Sequence, residues 1–317
     1  MDESTKNLVS VILSAHNAEK YIGEAIESVL KQTYPYFELI VVDDGSTDKT
    51  SQIVKSFKDS RINLIVHSQN KGISEARNTA LKFAKGLWFT PLDADDIWLP
   101  ERLEKLMEIA IESGDDYFVA DDLLLCFDTP RGIKQWGSLL KIDYGIKPDG
   151  KILKLSMSDY LKMGGPDIKP IIPLKQVKLF DLKYNPLFDG TEDFEFYCNL
   201  FRLGLKLKYM KKAFYLYRLT PGSITSKPHT SGELVLKSLS VNENFSIEDR
   251  SIFKNRLEKS KKKNQYIQFS YALKSKQWHK AFLLFYKNPL LFIQLLIHLP
   301  HSLRYRITAK IYGARIK

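Results

Sequence analysis

Leu8-Val9-Ser10-Val11-Ile12-Leu13-Ser14 is β-rich and nearly continuous in apolarity, the pattern of a strand buried on both faces. A helix is predicted from about Glu19, with Ile22, Ala25, Ile26, Val29 and Leu30 at i, i+3, i+4, i+7 spacing. Further along, Phe37 to Val42, Arg61 to His67, Leu87 to Leu92 and Tyr117 to Ala120 read as strands. Between them, Asp48 to Phe57, Ser74 to Ala84 and Leu99 to Glu112 read as helices. Such alternation with short connections predicts an open, mostly parallel sheet covered on both faces. Ligands of such sheets bind beyond the carboxyl ends of the strands. Three polar clusters fall there: His16-Asn17, Asp43-Asp44-Gly45-Ser46, and Asp93 to Asp96.

From Leu123 to about Pro186 the pattern breaks into Gly/Pro-punctuated pieces such as Met163-Gly164-Gly165-Pro166-Asp167, read as irregular structure and short strands over the site. A helix is predicted near Thr191, a strand or hairpin over Leu205 to Tyr217, and a largely helical region over 232–317 with a break at Asn288-Pro289.

The chain of 317 residues is long enough for one full domain plus an appendage, and its 44% apolar content is that of a globular protein. Cys126 and Cys198 have no CxxC spacing, which excludes a disulfide framework or cysteine-based zinc site and fits a reducing compartment. The apolar run Leu8 to Leu13 is too short for a signal peptide. Net charge is +11 and uneven: Ser251 to Lys317 holds 15 Lys+Arg against the single acid Glu258, leaving 33 basic and 36 acidic residues before it.

Asp93, Asp95 and Asp96 repel one another at the end of a buried strand, a conflict that a hard divalent cation would resolve. The Asp43-Asp44-Gly45-Ser46 turn offers acceptors for base or ribose donors; the alternative is a solvated turn with Ser46 or Thr47 as helix N-cap. Asn70-Lys71-Gly72 and Glu75-Ala76-Arg77-Asn78 put cations and a glycine near a helix start, which suits a phosphate; the alternative is an ordinary solvated helix start. Thr191-Glu192-Asp193 opens a helix with Phe194, Tyr197, Cys198 and Phe201 on one face. Acids in a first turn also suit the helix dipole, so a purely structural role is open. His229 could complete a metal shell or be a loop histidine without a ligand.

Taken in order, Val9-Ser10-Val11-Ile12, Asn17, Gln32-Thr33-Tyr34, Asp43-Asp44-Gly45-Ser46-Thr47-Asp48, Asn70-Lys71-Gly72 with Ala76-Arg77-Asn78, Leu92 to Asp96, and Glu192-Asp193 form one pattern. It resembles the family 2 glycosyltransferases, whose nucleotide-sugar-binding fold is called GT-A. The likeness is dense over residues 8–120 and thinner over 186–225, where Tyr217-Arg218 and Ser223 also fit.

The resemblance implies transfer of a sugar from a nucleotide diphosphate donor with inversion at the anomeric carbon. Asp44 would then bind the nucleobase, Arg77 the nucleotide or diphosphate, and Asp93 the ribose, with Asn17, Asp43 and Lys71 also at the donor. Asp95 would ligate Mn2+ or Mg2+, with His229 as a further candidate ligand, and Asp193 would deprotonate the acceptor hydroxyl. Two departures bear on the substrates: His16 replaces an aromatic residue usual in the family, and Phe194, Phe196 and Tyr197 crowd the acceptor side.

In the tail, Phe282-Leu283-Leu284-Phe285-Tyr286 and Leu290-Leu291-Phe292-Ile293 are split by Lys287-Asn288-Pro289, a poor bilayer span. Arg304, Arg306, Lys310, Arg315 and Lys317 follow, interleaved with apolar residues, which suits an anionic leaflet surface; the alternative is a helical appendage packed on the catalytic domain. Long apolar blocks argue against nucleic acid.

The expectation is an α/β fold of GT-A type, a mostly parallel sheet flanked by helices with a helical C-terminal appendage. Residues 1–230 form the nucleotide-sugar-binding catalytic domain and 231–317 the basic, membrane-associating region. The expected activity is metal-dependent transfer from a UDP-sugar to a saccharide or lipid-linked acceptor, in cell-surface polysaccharide synthesis. The expected place is the cytoplasmic face of the inner membrane. The competing class is a non-catalytic nucleotide-sugar-binding or scaffold protein. A phosphohydrolase fits less well, because its Asp-x-Asp pair sits on an early strand, whereas here the pair follows the fourth and precedes Ile97-Trp98.

Overall fold

A computed structural model describes residues 7–220 and 231–288. The elements β1 (Val9–Ala15), α1 (Ile22–Leu30), β2 (Phe37–Asp43), α2 (Thr50–Ser56), β3 (Ile62–Val66), α3 (Ile73–Phe83) and β4 (Trp88–Asp93) alternate as the periodicity predicts. They are followed by β5 (Ile97–Trp98), α4 (Arg102–Ser113), β6 (Tyr117–Thr129), β7 (Gly132–Ser138) and α5 (Leu139–Tyr144). Then come β8 (Ile152–Leu155), α6 (Met157–Lys162), β9 (Ile172–Pro173), α7 (Leu174–Leu179), α8 (Glu192–Arg202) and β10 (Lys206–Arg218).

The first sheet runs β3-β2-β1-β4-β9, parallel except for β9. Its middle strand β1 buries Val9, Ser10, Val11, Ile12 and Leu13, and the predicted face of α1 (Ile22, Ala25, Ile26, Val29) joins the same core as Val11 and Leu13. Ser10, the polar residue in this run, donates to Glu38 Oε1 (2.7 Å) and accepts from the Gly86 amide (2.9 Å), so its burial leaves no open hydrogen bond. Register settles where the polar clusters land. Ala15 pairs with Asp43 and Ser14 with Asp93, so the ends of β2 and β4 flank the end of β1 on one rim.

The strand expected at Tyr117 to Ala120 is not a neighbour of β4. Residues returning from the irregular stretch insert between them: Ile171 bridges Val119 of β6, and Ile172 pairs with Phe89 of β4. With that edge occupied, β6 pairs in parallel with β10 in a second sheet ordered β5-β10-β6-β7, where β8 also lies on β10. Leu205 to Tyr217, a strand or hairpin in the sequence reading, is the single strand β10.

Of the described residues, 7–128 and 133–220 form one compact unit, and 129–132 with 231–288 fall in a second. In the second unit α9 (Ser231–Val241), α10 (Ile247–Lys274) and α11 (Trp278–Lys287) bear out the helical reading over the described part. Ser246 caps α10 by accepting the Asp249 amide (3.1 Å), and Asn264 donates to Glu233 of α9 (2.6 Å). His229, Ser223 and the cationic segment with Arg304, Arg306, Lys310, Arg315 and Lys317 lie outside the described residues.

At the β2 rim Gly45 has φ +68°, and a Cβ there would lie 2.4 Å from the Gln69 carbonyl carbon and 2.6 Å from the Asn70 amide nitrogen. Both are backbone atoms that cannot swing away. Gly45→Ala is therefore expected to lower stability by about 2 kcal/mol. Urea denaturation followed by circular dichroism checks this, and an unchanged midpoint would show that the turn relaxes freely.

Candidate active site

The turn after β2 is an internal brace. Asp43 accepts the Ser46 amide (3.0 Å) and the Ser51 hydroxyl. Asp44 is buried; its carboxylate accepts the amides of Lys71 (3.0 Å to each oxygen) and Gly72 (2.8 Å) and faces His67 Nδ1 (2.6 Å). A carboxylate of this kind only accepts, so His67 Nδ1 carries the proton. The structure thus places Asp44, a candidate for the nucleobase, as the clamp between the β2 turn and the loop before α3. Asn17, at φ +50°, accepts the Thr47 amide (2.9 Å) and gives its own amide to Ser46 Oγ (2.9 Å). His16 Nδ1 donates to the Asp44 carbonyl (2.9 Å), which stacks the β1 and β2 turns together. Lys71 is exposed, with its backbone amide committed to Asp44.

Arg77, although on a polar-looking helix start, is only 2% exposed. Its position on α3 carries the guanidinium under the rim rather than into solvent. Nη1 donates to Glu192 Oε1 and Asp193 Oδ1 (both 2.6 Å), and Nη2 donates to Asp93 Oδ1 (2.8 Å). The ring of Tyr184 lies 5.2 Å from the guanidinium carbon. Opposite Arg77 stands Lys169, which the sequence reading missed. Its Nζ lies 2.7 Å from Asp93 Oδ2 and 2.8 Å from Asp193 Oδ2. Arg77, Asp93, Lys169 and Asp193 therefore close a ring of alternating charge, with Glu192 attached to Arg77.

The electrostatics follow from that closure. Burial disfavours the charge on Arg77 and on Lys169, but the surrounding carboxylates, Asp193 and Asp93 foremost, outweigh it and hold both well above their usual values. Burial also works against ionised Asp93, yet Lys169 and Arg77 hold its carboxyl well below the usual range. Glu192 goes the other way: burial raises it, and the single contact with Arg77 does not compensate.

The remaining acids of the run differ in kind. Asp96 is buried, accepts the Tyr215 hydroxyl (2.7 Å) and the Arg218 amide (2.8 Å), and is pushed well up by burial and by the charges of Asp93 and Asp95. Tyr215 also accepts the Asp93 amide (3.3 Å), so Asp96 fastens β10 beneath the acidic turn. Asp95 accepts the Thr220 hydroxyl (3.1 Å), and among the described residues it has no ion-pair partner. Burial, then the charge of Asp93, raises its pKa. A hard oxygen donor without its own cation fits a divalent metal ion. Among the described residues no three His, Cys, Asp or Glu side chains form a ready cage, so Asp95 would hold such an ion as a single carboxylate of this chain.

Asp189, also missed, crosses to the start of α3, where it accepts the Ser74 hydroxyl (2.5 Å) and amide (3.3 Å). It sits in the Asp189-Gly190-Thr191 turn before α8, and no periodic signal marks it.

The low position of Asp93 makes a pH prediction. A carboxyl depressed in the folded state stabilises it above the unfolded value, and that contribution is lost as pH falls below about 4. Asp93→Asn removes the titration, so its urea midpoint should fall less between about pH 5 and pH 3 than that of the wild type. Parallel acid profiles for the two proteins would refute the assignment.

The chain is similar to known proteins. Residues 10–128 match the family described as Glycosyl transferase family 2. WfaP of Escherichia coli, a UDP-Glc:alpha-D-GlcNAc-diphosphoundecaprenol beta-1,3-glucosyltransferase, is 30% identical over 244 residues, 74% of this chain and 87% of WfaP. WfgD of the same organism, described with the same activity, is 47% identical over 107 residues, and that match spans 34% of this chain and 42% of WfgD. The S. aureus TarS fragment crystallised with UDP-GlcNAc shares the fold, with a TM-score of 0.63 and 22% identity over 87% of this chain and 79% of the fragment. The parallel sheet with its acidic rim, the order of its motifs and the similarity to WfaP along most of its length place this chain in glycosyltransferase family 2.

Proposed function

We propose that the chain transfers a sugar, with inversion, from a UDP-sugar to a hydroxyl of a lipid-linked saccharide during cell-surface polysaccharide synthesis, and that a divalent ion at Asp95 assists. The observation that carries this reading is Asp193, held at the start of α8 against Asp93 by Arg77 and Lys169, so that a proton acceptor and a donor-binding acid share one rim.

In this reading Asp93 meets the ribose and Asp193 takes the proton of the acceptor hydroxyl. The hydroxyl oxygen bonds to the anomeric carbon from the face opposite the leaving group, which inverts that centre. The bond from that carbon to the diphosphate breaks, and its electron pair leaves with the diphosphate. A bound Mn2+ or Mg2+ would supply positive charge against the growing charge on that group. Rigid placement of both reactants supplies much of the remaining acceleration. The activities of WfaP and WfgD support a UDP-sugar donor and a lipid-diphosphate acceptor. TuaG of Bacillus subtilis, a putative teichuronic acid biosynthesis glycosyltransferase 43% identical over 109 residues, supports a cell-surface product.

A peripheral place on the cytoplasmic membrane face belongs to the same proposal. Among the described residues no helix is long and apolar enough to cross a membrane. On α11, Trp278, Phe282, Phe285 and Tyr286 are exposed, in a region with 15 Lys+Arg and one acid. Apolar rings with surrounding cations suit the boundary of an anionic leaflet. Sedimentation with liposomes should show binding to anionic vesicles that weakens with salt; equal binding to neutral vesicles would remove the electrostatic part.

The catalytic reading is tested by a screen of UDP-sugars with Mn2+ or Mg2+ and a lipid-diphosphate saccharide acceptor, reading UDP release. Asp193→Asn and Asp95→Asn should each lower turnover by about 100-fold or more. Donor binding by calorimetry should survive in Asp193→Asn. Wild-type turnover of Asp193→Asn would remove it as the base. Metal-dependent nucleotide binding without transfer would favour a binding protein instead.

A further inference from the structure

We infer that Lys169 is a positioning residue for the proton transfer: its ammonium fixes the orientation of the Asp193 carboxylate. This rests on the reading of Asp193 as the base.

The geometry is two-handed. Arg77 Nη1 takes Asp193 Oδ1 at 2.6 Å and Lys169 Nζ takes Oδ2 at 2.8 Å. Terminal torsions of Asp side chains are broad, so one contact alone would let the carboxylate rotate. A contact on each oxygen removes that freedom. An ionised carboxylate has about four lone-pair sites. With one site per oxygen used, the others stay open, and the 19% exposure of the side chain leaves them accessible to an acceptor hydroxyl. The proton passes from that hydroxyl to Asp193 as the new bond to the anomeric carbon forms, and Lys169 exchanges no proton.

Lys169 is suited to this because its backbone is pinned from three directions. Arg102 Nη2 donates to the Lys169 carbonyl, and Tyr197 of α8 donates to the Ile168 carbonyl (3.1 Å). Ile171 exchanges two hydrogen bonds with Val119 of β6 (2.7 and 2.9 Å). Arg102 is itself fully buried, paired with Asp121 (2.8 Å) and stacked near Trp98 and Tyr215. The side chain of Lys169, 7% exposed, rises from this frame to the two carboxylates. A lysine serving only to solvate the loop would need none of these anchors.

The test uses the full chain with UDP-glucose, UDP-galactose and UDP-GlcNAc in parallel, with the lipid-diphosphate acceptor and Mn2+. Lys169→Met keeps the apolar stem and removes the charge. Its kcat at saturating donor should fall about 10- to 100-fold, and donor KM should rise as well, because the same ammonium also holds Asp93. Lys169→Arg, which keeps the cation, should restore part of the rate.

Wild-type kcat in Lys169→Met would overturn the inference. So would a loss confined to donor KM with kcat at saturating donor kept, or a lost kcat that Lys169→Arg leaves unrestored. Should Lys169→Met unfold, Lys169→Gln and Lys169→Arg give the same comparison. If Asp193→Asn turns over like the wild type, or no UDP-sugar yields UDP, the catalytic reading fails first. If Asp193→Asn is inactive and Lys169→Met is not, this inference fails alone.

Discussion

One buried cation organises the catalytic unit. The Arg77 guanidinium, from α3, meets Asp93 at the end of β4 and Glu192 with Asp193 at the start of α8. Removing a guanidinium from water is unfavourable unless anions surround it, and these carboxylates are equally unfavourable without it. Each side of the network thus requires the other. The consequence is geometric: the consecutive elements α3 and β4 and the distant start of α8 must converge on one point beside the carboxyl end of β1, where the parallel register already delivers Asp43 and Asp93.

The acids on this rim separate into distinct kinds. Asp93 is paired with two cations and held ionised. Asp96 is buried, pushed up, and joined to Tyr215 and the Arg218 amide. Asp95 lies between these limits and has Thr220 as its partner. Adjacent residues therefore have different chemistry because alternation along the turn sends them to different neighbours. Under the proposed function, that division leaves Asp95 as the hard donor that would hold a divalent ion.

Much of the candidate site is legible in the sequence. Asn17, Asp43, Asp44, Arg77, Asp93, Asp95 and Asp193 stand at strand ends and helix starts, where periodicity locates them and the ordered motifs point to a nucleotide-sugar transferase. What those residues touch was less legible. Asp44 and Arg77 look like open ligand groups in the sequence, yet both have extensive internal contacts. Lys169 and Asp189 were invisible because they sit in irregular chain, where no helical or strand period marks which side chain turns inward.

The sequence by itself determined the alternation of buried strands and amphipathic helices, the parallel sheet around β1, and the rim on which the acids gather. These depend on local burial patterns that repeat every two or about 3.6 residues. Only the tertiary structure decided that residues 171–173 separate β4 from β6, sending β6 to a second sheet. It alone closed the ring of Arg77, Asp93, Lys169 and Asp193. Both depend on contacts between segments distant in the chain, and the mutual neutralisation of buried charges has no period along the sequence from which it could be read.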